Sequence, residues 1–138
     1  MIREEQHVEV RPYSIEVYED FAEAMRAAYP KWSGDLWRKE TISRLIKLFP
    51  DGQLGVFVND KLVGCALSII VDLDKIGLDH DYRKVTKAYT FNTHTEKGDT
   101  LYGIEVFVHP EFRGKRLGRR LYEARKELCE RLNLRAVM

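Results

Sequence analysis

Val8 and Val10 alternate with polar residues up to Pro12, a period of two that predicts a first short strand. From Ser14 the interval changes. Ile15, Tyr18, Ala22, Met25 and Tyr29 recur at helical spacing until Pro30, with Ser14 placed to cap the first turn. A second helix is expected from about Ser33 or Asp35 to Phe49, burying Ile42, Leu45, Ile46 and Phe49, and Pro50-Asp51-Gly52 turns the chain after it. Leu54 to Val58 and Leu62 to Val71 then read as the two arms of a hairpin closed by Asn59-Asp60-Lys61.

The segment from Asp72 to Asp99 is charged and poor in periodicity, with one short helix expected around Tyr82 to Ala88. Segments of that length without clear structure are uncommon in compact domains and tend to be functional. Thr100 to Val108 is apolar enough for a strand, Pro110 stops it, and the clearest helix of the chain follows, with Leu117, Leu121, Ala124, Leu128 and Leu132 on one face. Tyr122 lies beside that stripe and is expected to pack. Asn133 ends the helix and Leu134 to Met138 reads as the start of another strand. A domain seldom stops inside a core strand, so residues 1–138 are expected to be the N-terminal portion of a domain in a longer protein.

At 138 residues the chain has room for one domain with its own core. A composition of 44% hydrophobic and 33% charged residues fits a soluble globular protein, and 23 basic against 22 acidic side chains give a formal charge of +1, so no global field draws the chain to nucleic acid or membrane. Cys65 and Cys129 have no paired spacing and are expected to be reduced, buried thiols in a cytoplasmic protein. The N-terminus lacks the apolar core of a signal peptide, and no apolar stretch approaches the length of a membrane span. His7, His80, His94 and His109 show no ligand spacing, so no metal is expected.

Positive charge is concentrated instead in one place. Val106-Phe-Val-His-Pro-Glu-Phe-Arg-Gly-Lys-Arg-Leu-Gly118 reads as a strand, a glycine turn and a helix start, carrying Arg113, Lys115 and Arg116. The orphan N–H groups and dipole of a helix N-terminus favour an anion, and glycine lets the backbone approach it closely. Arg113-Gly114-Lys115-Arg116-Leu117-Gly118 resembles the pyrophosphate-binding motif of the GNAT superfamily of acyl-CoA N-acyltransferases: Gln or Arg, two residues, Gly, one residue, then Gly or Ala. The first and last positions match, while Arg116 stands where the family has its central glycine. Backbone N–H groups would still cradle a pyrophosphate with Arg116 in helical dihedrals and its side chain outward.

The resemblance implies a mixed α/β (α+β) fold, a central mixed sheet flanked by helices, ending before the last helix and strands of a complete GNAT domain. Further runs, among them Phe49-Pro-Asp-Gly-Gln53 and Ser68-Ile-Ile-Val-Asp-Leu-Asp-Lys75, are similar to bacterial proteins in which an N-terminal GNAT domain precedes a nitrilase-type carbon–nitrogen hydrolase. The implied activity is transfer of an acetyl group from acetyl-CoA to an amine acceptor. In that family Val106, Phe107 and Val108 would offer backbone groups to the pantetheine arm, and Arg113, Gly114, Lys115, Arg116, Leu117 and Gly118 would hold the diphosphate. The acceptor would meet the first two helices and the 72–99 segment, with Trp32, Trp37, Tyr82, Tyr89 and Phe91 either lining a pocket or packing in the core. A homodimer is left open.

Glu105 is the only ionisable group inside an otherwise apolar strand and is the candidate general base; pairing at the sheet surface is the alternative. Tyr102, expected on the opposite face of that strand, either contacts substrate or packs as core. The family's general acid, a tyrosine on a later helix, would fall beyond Met138. No Ser or Cys sits in a nucleophile elbow, and no Gly-Lys-Ser/Thr follows Gly114. Two rivals remain. One is a basic helix carrying Arg119, Arg120, Arg125 and Lys126 that binds nucleic acid, against which Glu123, Glu127 and Glu130 weigh; the other is a non-catalytic acyl-CoA sensor that regulates an attached amidase.

Overall fold

The computed structural model describes residues 6–31, 36–76, 91 and 93–137. The helix expected around Tyr82 to Ala88, and Trp32, Tyr82 and Tyr89, lie outside the described residues. Strand β1 (Val8–Pro12) leads through a 3₁₀ turn (Ile15–Val17) into α1 (Tyr18–Ala28), then α2 (Lys39–Leu48) and the hairpin β2 (Leu54–Val58) and β3 (Lys61–Val71). A short α3 (Leu73–Ile76) follows, then β4 (Thr100–Val108), α4 (Leu117–Arg131) and β5 (Ala136–Val137). The strands form one mixed sheet in the order β1-β2-β3-β4-β5, antiparallel except for the parallel β4–β5 pair. This is the element order and mixed α/β architecture expected from the sequence.

Asn59 and Asp60 both take positive φ, the backbone that closes a two-residue hairpin with the right twist. Ser14 precedes the first turn without making a side-chain cap bond. The second helix begins later than its periodicity predicts, at Lys39, because Trp37 is drawn into the core. Its N–H donates to Met25 Sδ at 3.2 Å and its carbonyl accepts from the Tyr18 hydroxyl at 2.6 Å. Arg38 after it is extended, with φ −74° and ψ 154°, so the helix starts only beyond Arg38.

Each face of the sheet has its own core. Phe21, Met25, Ile42 and Leu45 of α1 and α2 pack against Leu67, Ile69 and Phe107, whereas Leu117, Leu121 and Leu128 of α4 pack against Val56, Ala66 and Leu101 on the opposite face. Both cysteines are free and buried. The α4 stripe differs from expectation at two positions: Tyr122 is 59% exposed, and Arg125 is 5% exposed. Among the described residues no helix is long and apolar enough to cross a membrane.

One register irregularity decides what lies where. Leu67 pairs with Glu105, but the next residue, Ser68, pairs with Gly103, leaving Ile104 as an extra residue in β4. A bulge of this kind shifts the alternation by one. Tyr102, Ile104 and Phe107 therefore all belong to the core beneath α1 and α2. Glu105, which would otherwise follow Leu101 and Gly103 toward α4, turns to the α1 side, so Tyr102 and Glu105 share a face rather than opposing each other.

Where the chain returns from the 72–99 segment, His94 Nδ1 accepts the Ile70 N–H at 3.1 Å and the ring stacks on Phe49 with centroids 5.3 Å apart. Burial pushes this histidine below its ordinary pKa. The unfolded chain therefore takes up the proton first, so the contribution of His94 to stability is complete above about pH 6.5 and declines as pH falls below it. Urea midpoints should drop on acidification through that range, and His94→Gln should flatten the drop; an equal drop in both proteins would assign the effect to other groups.

Candidate functional site

The end of β4, the glycine turn and the start of α4 enclose a cleft of about 330 Å³ lined by Val106, Phe107, Val108, Arg113, Gly114, Arg116, Leu117 and Gly118, with Phe112 and the Ala28-Tyr29 end of α1 as its other wall. Eight of the ten site residues singled out in the sequence thus meet around one space. Lys115 does not line it: its ammonium donates to Gln6 Oε1 and stands 5.7 Å from the centroid of the Phe112 ring.

The turn is built by local rules. His109 Nδ1 accepts the Glu111 N–H, Pro110 opens a 3₁₀ turn (Pro110–Phe112), and the Arg113 N–H closes it on the Pro110 carbonyl. Gly114 follows at φ 87°, a conformation other residues rarely adopt. A Cβ built at Gly114 or Gly118 meets nothing within 4 Å, so packing within the protein does not require glycine at either position. Open space over bare backbone suits a closely approaching ligand. The first α4 bond runs from the Arg120 N–H to the Arg116 carbonyl, which leaves the N–H groups of Leu117, Gly118 and Arg119 without helical acceptors.

Arg116 is left-handed, with φ 60° and ψ 28°, rather than in the helical dihedrals expected of it. The turn needs a positive φ here, which glycine supplies freely and arginine supplies at a cost of about 1–2 kcal/mol. Its side chain is exposed, as expected. The first turn of α4 contains no acidic residue, and Arg119 and Arg120 stand at the positive end of the helix dipole. Cations there are unfavourable without a counter-charge. Arg119 is paired with Glu123 at 3.1 Å.

Glu105 stands one hydrogen bond behind the cleft wall. Its Oε1 accepts from the hydroxyl of cleft-lining Tyr29 at 2.8 Å and from the Val106 N–H at 3.1 Å, and its Oε2 accepts from Trp37 Nε1 at 3.3 Å. All three are donors, which suits an ionised carboxylate. Burial, reinforced by the Glu105 hydrogen bond, pushes the Tyr29 phenol well above its usual range, so Tyr29 remains a neutral donor. Burial likewise pushes the Cys65 thiol up, with the Glu105 charge adding to it.

Tyr29 and Trp37 are the partners of Glu105 that sequence periodicity hides, because both read as ordinary helix or core aromatics. Phe91 stacks on Trp37 with centroids 6.4 Å apart and is fully buried, and Tyr102 is 8% exposed. Both are core residues. Among the described residues no three His, Cys, Asp or Glu side chains converge as a metal group would need.

A curled mixed sheet with an anion-directed helix start beside an open strand end defines an acyl-transfer fold. The chain belongs to the acetyltransferase (GNAT) family, which it matches over residues 15–138. It is 34% identical over 102 residues to "Probable hydrolase YhcX" of Bacillus subtilis, covering 74% of this chain and 20% of that protein. It is 29% identical over 93 residues to "Uncharacterized N-acetyltransferase YkwB" of the same organism, covering 67% of this chain and 41% of the relative. The chain thus spans less than half the length of either. Among solved structures, the loading GNATL domain of CurA from Lyngbya majuscula superposes with a TM-score of 0.71 at 28% identity, over 89% of this chain and 58% of that one.

Arg116→Gly should leave stability within about 1 kcal/mol of the parent, since relief of the left-handed strain is offset by the greater freedom of glycine in the unfolded chain. Arg116→Val, β-branched in the same conformation, should lose about 1–3 kcal/mol. Chemical denaturation of both variants checks this, and a valine variant as stable as the glycine one would contradict the left-handed assignment.

Proposed function

We propose that this domain binds acetyl-CoA in the cleft between β4 and α4 and transfers the acetyl group to an amine. The single observation that carries the reading is the coincidence of two open-faced glycines, uncapped helix N–H groups and two arginines, Arg113 and Arg116, that pair with no carboxylate among the described residues, in a cleft that runs back along Val106 to Val108. The residues fit such a donor: Gly114 through Gly118 offer N–H groups to a diphosphate, with Arg113 and Arg116 supplying counter-charge. Backbone groups of Val106 to Val108 would meet the pantetheine amides. Lys115 would act only as a more distant cation. Membership of an acetyltransferase family supports acyl transfer as the reaction class.

In the transfer, the acceptor ammonium passes a proton to the Tyr29 hydroxyl oxygen as Tyr29 gives its own to Glu105, and the freed amine attacks the thioester carbonyl. The C–N bond forms as the C–S bond breaks. The second proton of the attacking nitrogen goes to the departing thiolate, giving amide and free thiol. Tyr29 and Trp37 hold the carboxylate for the first step and keep it near the cleft.

We place this activity in the cytoplasm, in keeping with two free, buried cysteines. The same reading extends to a parent protein in which this domain precedes a carbon–nitrogen hydrolase; the description of YhcX as a probable hydrolase, and the 20% of it that the chain covers, support a longer parent with a hydrolase part. In such a parent a second reading is an acyl-CoA sensor that binds donor without transferring it. The left-handed arginine at the motif's glycine position favours keeping it. Burial of Arg125 removes one cation from the basic stripe that a nucleic-acid reading needs.

Calorimetric titration of the chain with acetyl-CoA should give heat, with affinity falling as salt rises. Gly118→Leu, which improves helix propensity while filling the cleft, should keep or raise stability and weaken binding at least about tenfold, a loss of about 1.4 kcal/mol. An acetyl-CoA titration without heat would refute the donor site. Glu105→Gln should lower kcat/KM for amine acetylation by about 10²–10⁴-fold with unchanged acetyl-CoA affinity. Full turnover across the pH range in that variant would exclude Glu105 as base, and donor binding without turnover on a panel of amines by the parent would favour the sensor.

A further inference from the structure

Arg125 is a buried cation in the middle of α4, and among the described residues no carboxylate pairs with it. Its three hydrogen bonds go to neutral acceptors: Nε to Ser68 Oγ at 3.0 Å, and Nη2 to the Leu67 carbonyl at 3.1 Å and the Glu105 carbonyl at 3.2 Å. Taking a guanidinium out of water costs several kcal/mol, and a leucine would fill the same stripe without that cost. The acceptors say what the arginine is there for. Leu67, Ser68 and Glu105 are the residues that flank the extra residue Ile104, where the β3–β4 ladder is interrupted. Arg125 is a fork inserted into the bulge from the α4 side.

The same peptide segment carries the candidate base on its other side. Arg125 holds the backbone of Glu105 from α4, while Tyr29 and Trp37 hold its carboxylate from the α1 side. We infer that Arg125 is a positioning residue: by pinning the bulge it holds the Glu105 carboxylate against the Tyr29 hydroxyl at the cleft wall and couples it to the helix whose first turn faces the donor. This inference rests on the proposed roles of Glu105 and of the α4 start. Among the described residues, Tyr29 at the end of α1 and Cys65 on β3 feel the Glu105 charge, and burial holds both neutral.

The Val106 amide, hydrogen-bonded to Glu105 Oε1, supplies a readout that does not need turnover. In amide-resolved NMR of the 138-residue chain its shift should titrate with the Glu105 carboxyl. Arg125→Lys keeps the charge but offers no planar fork. It should shift or at least halve that titration and speed exchange of the Glu105 and Val106 amides about tenfold or more, while amides of β1 and β2 stay as in the parent. An unchanged Val106 titration, or protection lost evenly over every strand, would overturn the inference. A second measurement needs no variant: on addition of acetyl-CoA, the Arg125 Nε–H and Val106 signals should move together with the Gly114 and Gly118 amides. If the glycine amides move and Arg125 does not, the coupling is refuted. If the glycine amides stay still, the donor site itself fails, and the Arg125→Lys comparison still decides what holds the bulge.

Discussion

The extra residue at Ile104 interrupts the alternation of β4 once, and the face to which each β4 side chain near the cleft turns follows from that interruption. On its N-terminal side, Leu101 faces α4 and Tyr102 faces α1; beyond it, Glu105 and Phe107 face α1 while Val106 and Val108 pack toward α4. A regular strand would have put the carboxylate beneath α4, on the side where Arg125 is buried, and away from the Tyr29 hydroxyl and the Trp37 indole. The bulge instead delivers it to the Tyr29 hydroxyl and the Trp37 indole, and leaves carbonyls on the other side that Arg125 satisfies. Two ionic groups, the half-buried Glu105 and the buried Arg125, lie on opposite sides of a single strand, and each is hydrogen-bonded by other elements of the fold.

A second constraint acts at the start of α4. The turn after Pro110 must reverse the chain so that helical N–H groups point into the cleft, and it does so with two positive-φ residues, Gly114 and Arg116. Only the first of these is conformationally free. The arginine accepts strain at a position where it adds charge to a helix end that already carries Arg119 and Arg120 and no acid. Local propensity and local electrostatics both run against this arrangement, a conflict that proteins retain at functional positions.

The element order was readable from periodicity because β3, α1 and α4 are long enough for alternation or a helical stripe to dominate. The Asn59-Asp60 turn and the Arg113 to Gly118 turn were readable because positive φ and a tight reversal demand particular residues. What stayed hidden depends on contacts across the sheet. Arg125 looks like one more cation on a charged helix, and only the missing ladder bonds at Leu67 and Glu105 explain its burial. Tyr122, three positions earlier, looks like a core aromatic and is exposed. The bulge left no mark in the sequence of β4, since Ile104 reads as one more apolar strand residue, so the faces of Tyr102 and Glu105 could not be assigned by counting. Trp37 was expected inside a helix because its bonds to Tyr18 and Met25 join segments distant in sequence.

The end of β4 has one property that sets it apart from most binding walls. Val106 and Val108 pack their side chains toward α4, and Phe107 packs toward α1, while among the described residues β5 pairs with β4 only at Thr100 and Leu101, which leaves the strand's outer main-chain edge open beside the cleft. The surface offered to a ligand there is therefore the polypeptide itself, which every amino acid shares. Side-chain scanning would read these three positions as plain core, and sequences can drift among apolar residues at all of them while the wall keeps its pattern of donors and acceptors. The vulnerability of such a wall lies in its register: inserting or deleting one residue in the strand would exchange its donors for acceptors.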